Sequence, residues 1–258
     1  MSTTPAHQTY REVMTVDPLP PSTPLEQATL DYVFGQVWSR PGLSRRDRRW
    51  VTLACVAAAD SPQPIEEHVY AALNSGDIEL PEMLEFVLQF AVYCGWPKAS
   101  HVEGVIRQQW ARIRAERGEP LSRWPVLANE TLGDNEWEAR LQHGEEEFRT
   151  VNFVSAPPRD SPYYHAGILN FVFGHVWLRP GLSRRDRRLI TVACVAICDS
   201  PGPLQSHVSS ALQSRDVSRD EMGELALQFS AYYGAAKAEA LDQTARHAWA
   251  RILEEERA

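Results

Sequence analysis

Cysteine is scarce in this chain. Among 258 residues there are four cysteines, and no two of them form a C-x-x-C pair; they are Cys55, Cys94, Cys194 and Cys198. This number and scatter argue against both a disulfide framework and a cysteine-based zinc site. We therefore expect free thiols in apolar helices and no metal site.

Positive charge and long apolar runs are also in short supply. Lys and Arg total 26 against 34 Asp and Glu, which gives a formal charge of −8 and disfavours nucleic acid or anionic membranes as partners. The most apolar stretch, 51–59, is far too short to span a bilayer, and residues 1–13 lack the apolar core of a secretory signal. We expect a cytoplasmic protein that binds neither nucleic acid nor membrane.

Several motifs of cofactor enzymes are missing from the sequence. It contains no phosphate loop, dinucleotide fingerprint or nucleophile elbow, and no histidine or carboxylate falls at the spacing of a metal motif. The residues therefore give no indication of a phosphate-binding, dinucleotide-binding or hydrolase-type site. With 43% hydrophobic and 23% charged residues, the composition is that of an ordinary globular protein.

The chain repeats itself. Residues 33–113 align with 172–252 without a gap, and more than half of the aligned positions are identical. The best block pairs FGQVWSRPGLSRRDRRWVTLACVAAADSP with FGHVWLRPGLSRRDRRLITVACVAICDSP. Because this period is much longer than the roughly 20–50 residues of a solenoid unit, each copy should be a small helical domain.

Apolar residues recur at helical spacing in both copies, and no segment alternates as a strand does. In the first copy the predicted helices cover 25–37, 45–59, 65–74, 82–93 and 99–117. We predict an all-α fold with two tandem domains, 1–117 and 150–258. A linker at 118–149 would join them and carry a polar surface helix at 136–148.

An unusual cluster of cations, Arg-Arg-Asp-Arg-Arg, stands at 45–49 and again at 184–188. It falls at the predicted start of a buried helix, where positive charge opposes the helix dipole. The residues leave two interpretations open: salt bridges between helices or subunits, or a site that binds an anion. Asp47 and Asp186 fit capping-box carboxylates better than catalytic acids.

Two histidines, His68 and His207, occupy equivalent positions at the edge of an apolar helical stripe. A partly desolvated imidazole there can exchange protons near neutral pH, although a structural, hydrogen-bonded histidine is the simpler interpretation. Equivalent aromatic residues accompany them in each copy, namely Trp38 with Trp177 and Tyr93 with Tyr232. They fit either core packing or the wall of a small pocket.

Three segments carry a family resemblance. VWSRPGLSRRDRRWVTLA, EEHVYAALNSG and LQFAVYCGWPKA resemble the gamma-carboxymuconolactone decarboxylase family, and the second copy repeats them with lower fidelity. The resemblance implies an all-helical, alkylhydroperoxidase D-like fold. Because single-domain members form hexameric rings, it also implies that this tandem chain forms a homotrimer with pseudo-sixfold arrangement.

The wider alkylhydroperoxidase D-like family depends on a glutamate, a C-x-x-C pair and a histidine. In this sequence the glutamate position is taken by Arg49 and Arg188, and only the histidine remains. The cysteine positions are taken by Ser61, Pro64, Ser200 and Pro203. The resemblance therefore points away from disulfide-based peroxidase chemistry and towards the decarboxylases, which need no cofactor.

The resemblance implies a carbon–carbon lyase acting on a small carboxylated lactone, such as gamma-carboxymuconolactone, or a related keto acid. Such a site must hold a carboxylate, exclude water and deliver a proton. In the first copy His68 would donate or relay the proton, with Arg40 and Arg48 on the carboxylate and Trp38 and Tyr93 shaping the pocket. The second copy offers His207, Arg179, Arg187, Trp177 and Tyr232.

Two alternatives remain open. One is an isomerase, cyclase or hydrolase of a related lactone that uses the same pocket. The other is a non-catalytic, oligomeric binding or scaffold protein. The first copy is closer to the family pattern at 93–97 than the second is at 232–236, so one half alone could be catalytic.

Overall fold

The computed structural model describes residues 4–59, 61–121, 124 and 136–257, which contain helices and no strand. The first repeat comprises α1 (Pro5–Met14), α2 (Pro24–Ala28) running into a first π-helix (Thr29–Trp38), α3 (Arg45–Ala58), α4 (Pro62–Ser75), α5 (Leu80–Cys94) and α6 (Trp96–Glu116). The second repeat comprises α7 (Trp137–Asn152), a second π-helix (Tyr163–Phe173), a 3-10 turn (Val176–Leu178), α8 (Arg184–Ile197), α9 (Pro201–Gln213), α10 (Arg219–Tyr233) and α11 (Ala235–Glu255). The prediction of an all-α, tandemly duplicated fold is confirmed.

Local sequence explains where the two central helices begin. The Ser44 hydroxyl accepts a hydrogen bond from the backbone N–H of Asp47 at 3.1 Å, which caps α3. Ser183 and Asp186 form the full reciprocal capping box at the start of α8. In the first repeat the Ser44 half of the box is formed, and the Asp47 carboxylate accepts a hydrogen bond from Arg185 at 3.0 Å.

The centre of the molecule is the contact between α3 and α8. Helix α10 of the second repeat also packs on α3, and α5 of the first repeat packs on α8. One continuous apolar core therefore runs through both repeats. This arrangement explains why α3 and α8 are apolar on nearly every side: each is covered by helices of its own repeat and of the other.

The polar helix predicted at 136–148 is not a surface feature of a linker. Helix α7 buries Leu141, Gly144 and Val151 and packs on the second π-helix, as α1 packs on the first. A boundary at residue 150 falls inside this helix, and the domain limits 1–117, 118–149 and 150–258 remain a prediction. Residues 122–123 and 125–135 of the expected linker lie outside the described residues. In the described part of the chain, no helix combines the length and apolarity needed to cross a membrane.

Candidate functional site

Two equivalent groups of side chains surround the histidines. The His68 cluster consists of Trp38, Arg49, His68 and Tyr232. The His207 cluster consists of Trp177, Arg188, His207 and Tyr93. In each cluster the tryptophan, arginine and histidine come from one repeat and the tyrosine comes from the other.

The aromatic rings hold the imidazole of His68 in a fixed orientation. The indole of Trp38 lies parallel to it with ring centroids 6.4 Å apart, and the phenol of Tyr232 meets it edge to face at 5.1 Å. The indole N–H of Trp38 donates a hydrogen bond of 2.8 Å to the Tyr232 hydroxyl. The guanidinium of Arg49 stands over the same indole, 5.4 Å from its ring centroid.

The His207 cluster repeats this geometry closely. Trp177 lies parallel to His207 at 6.2 Å, and Tyr93 meets His207 edge to face at 5.4 Å. The Trp177 N–H donates to the Tyr93 hydroxyl at 3.0 Å, and Arg188 stands 5.6 Å from the centroid of the Trp177 indole. The recurrence of four side chains in one arrangement shows that the two clusters are related by the duplication.

The tyrosines are exchanged relative to the grouping predicted from the sequence. Tyr93, expected beside His68, lies against His207, and Tyr232, expected beside His207, lies against His68. The cause is the packing of α5 on α8 and of α10 on α3, which carries the end of each tyrosine-bearing helix into the opposite repeat. Neither cluster is complete within one repeat.

The arginines predicted to hold a substrate carboxylate already hold carboxylates of this chain. Arg40 and Arg48 both bond Glu224, at 2.5 and 2.8 Å, and Arg48 also donates to Gln228 at 3.1 Å. Nε of Arg48 has no hydrogen-bond partner among the described residues, and the substrate-binding role assigned to both arginines from the sequence stays a prediction.

The second copy shows the same pairing. Arg179 bonds Glu85 at 2.6 Å, and Arg187 donates to Gln89 at 2.8 Å and lies 3.9 Å from Glu85. All of these bonds join the two repeats. For these four arginines, then, the structure supports salt bridging between helices.

Arg49 and Arg188, to which the sequence assigns no role, have unused hydrogen-bonding capacity, as Arg48 does at its Nε atom. Both are fully buried, and their Nε atoms bond Asp77 and Asp216 at 3.2 Å. One further nitrogen of each, Nη1, has no hydrogen-bond partner among the described residues. The sequence does contain a signal for a role of Arg49 and Arg188, because both align with the position at which the alkylhydroperoxidase D-like family has its glutamate.

The buried histidines have unpaired atoms as well. Nδ1 of His68 and Nδ1 of His207 lack a partner within the described ranges. A buried polar atom without a partner is costly and calls for an explanation, such as an unseen water or ligand. In both clusters the unpaired histidine nitrogen accompanies an unpaired arginine nitrogen, which is the arrangement expected of a site that receives an anion.

Burial sets the protonation states of these groups. Desolvation, with a smaller contribution from the charge of Arg49, lowers the pKa of His68 to about 3. Desolvation and Arg188 lower the pKa of His207 to about 3 in the same way. Both imidazoles are therefore neutral at physiological pH. Burial also raises the pKa of Tyr93 and of Tyr232, so both hydroxyls keep their protons.

A cavity of about 570 Å³ opens beside the His207 cluster. His207 and Tyr93 contribute to its wall, together with Cys198 and Trp96. Helix α7 and the second π-helix supply five aromatic residues to the wall, and α5, α8 and α9 contribute as well; the five are Phe148, Tyr163, Tyr164, Phe171 and Phe173. This volume and largely apolar lining suit a small organic ligand.

The structure describes no group of three or more His, Cys, Asp or Glu side chains arranged to hold a metal ion in 4–59, 61–121, 124 and 136–257. The cluster residues are aromatic or cationic, apart from the neutral histidines, and such side chains suit an anion rather than a cation. A buried anion beside a neutral imidazole is the ligand arrangement that these side chains suit chemically.

Two decarboxylases show similarity to this chain. It is 32% identical to nitrosuccinic acid decarboxylase of Metarhizium robertsii over 100 residues, which cover 39% of this chain and 68% of that protein. It is 35% identical to 4-carboxymuconolactone decarboxylase of Acinetobacter baylyi over 69 residues, which cover 27% of this chain and 51% of that protein. The chain thus spans about half the length of the second relative.

The family comparison covers both repeats. The model of the carboxymuconolactone decarboxylase family matches residues 24–108 and again residues 162–246. Each match includes the histidine, tryptophan and arginine of one cluster and the tyrosine that completes the other. The chain is therefore a tandem member of the carboxymuconolactone decarboxylase family.

Proposed function

We propose that this protein is a cofactor-independent decarboxylase of a small carboxylated lactone, such as gamma-carboxymuconolactone, or of a related keto acid. The observation that carries the proposal is the pairing, in each cluster, of a buried arginine nitrogen and a buried histidine nitrogen that both lack partners within the described part of the chain. A substrate carboxylate would accept a hydrogen bond from the arginine Nη1 and from the histidine in the tautomer that carries its proton on Nδ1. The similarity to two decarboxylases supports decarboxylation as the type of reaction.

The His207 cluster is the better candidate for the working site. The cavity of about 570 Å³ has His207 in its wall, so a ligand can reach the imidazole there. The segment at 93–97, which resembles the family more closely than its counterpart at 232–236, supplies Tyr93 and Trp96 to this cavity. The exchange of tyrosines therefore brings the family-like segment of the first repeat to the histidine of the second.

The proposed decarboxylation depends on the positive charge of Arg188 and the negative charge of the substrate carboxylate. Arg188 attracts the substrate carboxylate, and the largely apolar wall lowers the local dielectric, which strengthens that attraction. When the C–C bond breaks, carbon dioxide leaves and the electron pair passes to the neighbouring acceptor group of the substrate. A proton must then reach the carbon that lost carbon dioxide.

His207 is neutral in the free protein, so it cannot carry that proton beforehand. A bound anion would offset the charge of Arg188 and raise the pKa of His207, which would allow the imidazole to take up a proton from solvent and pass it on. Tyr93 orients the imidazole, and its hydroxyl is held by Trp177. In this scheme substrate binding and proton uptake occur together.

The direct test incubates the purified protein with gamma-carboxymuconolactone and, separately, with nitrosuccinic acid, and follows carbon dioxide release and product mass. The variants are His207→Asn, His68→Asn and the double variant. We expect release from the wild type and a loss of about 10²- to 10⁴-fold in His207→Asn, the usual contribution of a proton-transfer group. A much smaller loss in His68→Asn would place the reaction in the His207 cluster.

Three results would contradict the proposal. The first is carbon dioxide release that persists unchanged in the double histidine variant. The second is a product of unchanged or hydrated mass, which would indicate an isomerase, cyclase or hydrolase instead. The third is the absence of turnover together with the absence of binding of either acid to the folded protein, which would favour a binding or scaffold protein. Arg188→Gln, with His101→Asn as an exposed control, tests the anion site separately.

We further propose that the chain assembles as a homotrimer. Its two repeats already pack through α3 and α8 as two protomers would, and the family resemblance implies a ring of six repeats. Native mass spectrometry at micromolar concentration should give three chains of 29.1 kDa per particle. A monomer or dimer as the only species would contradict this proposal.

A further inference from the structure

Two cysteines that are far apart in sequence meet at the junction of the repeats. Cys94 is the last residue of α5 and Cys198 directly follows α8, and their sulfur atoms are 3.9 Å apart. They are separated by 104 positions along the chain. Because sequence spacing shows no pair, only the packing of α5 on α8 reveals it.

This pair is accessible, whereas the other two thiols are not. Cys198 is exposed and contributes to the wall of the His207 cavity, and Cys94 is half-buried beside it. Cys55 and Cys194 are fully buried in the core. An oxidant in solution or in the cavity can therefore reach Cys198, and Cys94 is the nearest partner that is itself partly accessible.

The duplication creates two equivalent junctions between the repeats, and the cysteine pair lies at one of them. At the positions that correspond through the duplication, Cys94 is replaced by Tyr233 and Cys198 by Ala59. The junction beside the His68 cluster therefore has no thiol at either position. The dithiol coincides with the cavity of the His207 cluster and with Tyr93, which immediately precedes Cys94.

We propose that Cys94 and Cys198 are an oxidation site, at which a hydroperoxide converts two free thiols into a disulfide that joins the two repeats at the rim of the His207 cavity. Both thiols are protonated at neutral pH, because a hydrogen bond with Cys194 and burial raise the pKa of Cys94, and a hydrogen bond with Cys94 and burial raise the pKa of Cys198. The ammonium groups of Lys98 and Lys237 oppose this shift.

The reaction balances with the peroxide as the only oxidant. The small thiolate fraction of Cys198 attacks one peroxide oxygen, the O–O bond breaks, and the leaving oxygen departs as water or an alcohol after gaining a proton. The resulting sulfenic acid is attacked by the sulfur of Cys94, the S–O bond breaks, and water leaves as the S–S bond forms. The two thiols lose two electrons and two protons, and the peroxide is reduced by two electrons.

The test treats the whole protein with excess hydrogen peroxide at pH 8 and measures the intact mass before and after addition of a thiol reductant. We expect the loss of two hydrogen masses, reversed by the reductant, and a cross-linked peptide that contains Cys94 and Cys198. Cys198→Ser and Cys94→Ser should each abolish the cross-link. Cys55→Ala, the matched control at a buried thiol, should leave it intact.

Other products would overturn the proposal. These are added oxygen on Cys198 without a cross-link, a bridge that uses Cys194 instead of Cys198, or no loss of thiols in the folded protein. A second readout does not depend on the chemistry of the oxidant: a cross-link over about 100 residues restricts the unfolded chain and should raise the unfolding temperature of the oxidised form. Cys198→Ser should show no such rise, and the outcome is independent of which substrate the protein uses.

Discussion

The hydroxyl of Tyr93 accepts a hydrogen bond from the indole nitrogen of Trp177 at 3.0 Å, across a separation of 84 residues. Tyr232 accepts the equivalent bond from Trp38 at 2.8 Å. Each bond ties the tyrosine of one repeat to the tryptophan of the other. Each cluster therefore contains residues of both repeats. Because the repeats are fused in one chain, each tyrosine is held at a high local concentration next to its histidine.

Removing the Tyr93 hydroxyl should destabilise the second cluster specifically. Tyr93→Phe leaves the Trp177 N–H without its partner, and an unsatisfied buried donor costs about 1–3 kcal/mol. In a double-mutant cycle measured by chemical unfolding, Tyr93→Phe should couple with Trp177→Phe by more than about 0.5 kcal/mol. The matched control pairs Tyr93→Phe with Trp38→Phe, for which the two effects should add. Coupling in the control instead would mean that the exchange of tyrosines is not the arrangement in solution.

The carboxylate of Glu224 should be important for stability because it neutralises a fully buried cation. Glu224→Ala leaves Arg48 without its charge partner, and breaking a buried ion pair in this way costs about 3–5 kcal/mol. Arg40→Ala removes the other partner of Glu224, but Arg40 is 49% exposed and its loss should cost less than about 1 kcal/mol. Urea unfolding of the two variants measures this difference. Equal effects would show that Arg48 finds another partner or that burial of its charge is not the cause.

The histidines should make the folded protein sensitive to mild acid. Their pKa is about 3 in the folded protein and near 6.5 in the unfolded chain, so below pH 6.5 the unfolded chain binds protons that the folded protein does not. The free energy of unfolding should therefore be highest above pH 6.5 and fall as the pH decreases towards 3. Between pH 6.5 and about 4.5 the histidines dominate this fall, because carboxylates with lowered pKa such as Glu224 titrate below that window.

The His68→Asn, His207→Asn double variant provides the comparison for this titration. Its unfolding free energy should change less steeply between pH 6.5 and 4.5 than that of the wild type, whereas the exposed-site control His101→Asn should follow the wild type. Parallel curves for the wild type and the double variant would contradict the neutral, buried state of the two histidines. Equilibrium chemical unfolding at a series of pH values makes the measurement.

The sequence predicts the central helices well because their limits are set locally. Ser44 caps α3 through the backbone of Asp47, and Pro and Gly punctuate the neighbouring turns, so a few adjacent residues are enough to place the helix. Helix α1 (Pro5–Met14) was not predicted. Only Val13 and Met14 of α1 are buried, and its position depends on packing against the first π-helix, which local spacing does not encode.

The tyrosine exchange could not be predicted from one sequence for a physical reason. Tyr93 and Tyr232 are equivalent through the duplication, so a contact within one repeat and the same contact between repeats leave identical sequence patterns. For a related reason, the sequence does not show whether Arg48 or Arg49 lies beside the histidine. The two are adjacent on one helical turn, and both are fully buried. They differ in their partners, Glu224 for Arg48 and Asp77 for Arg49, and each keeps one nitrogen without a hydrogen-bond partner among the described residues.

Glycine at position 144 allows α7 to reach the second π-helix. A Cβ atom added there would lie 1.8 Å from the backbone oxygen of Leu169, a contact that only movement of the backbone can relieve. Gly144→Ala should therefore separate α7 from the π-helix and lower the unfolding temperature. Since Phe148 and Asn152 of α7 line the His207 cavity, binding of a carboxylate ligand there should weaken as well.

Gly104 in α6 is the matched control for Gly144. An added Cβ at Gly104 meets nothing within 4 Å, so Gly104→Ala should stabilise the protein by up to about 1 kcal/mol through helix propensity alone. The same substitution is thus expected to have opposite signs at two helical glycines, which differential scanning calorimetry can measure. If Gly144→Ala were also stabilising, α7 would not pack on the second π-helix, and the wall of the cavity beside His207 would have to be built by other residues.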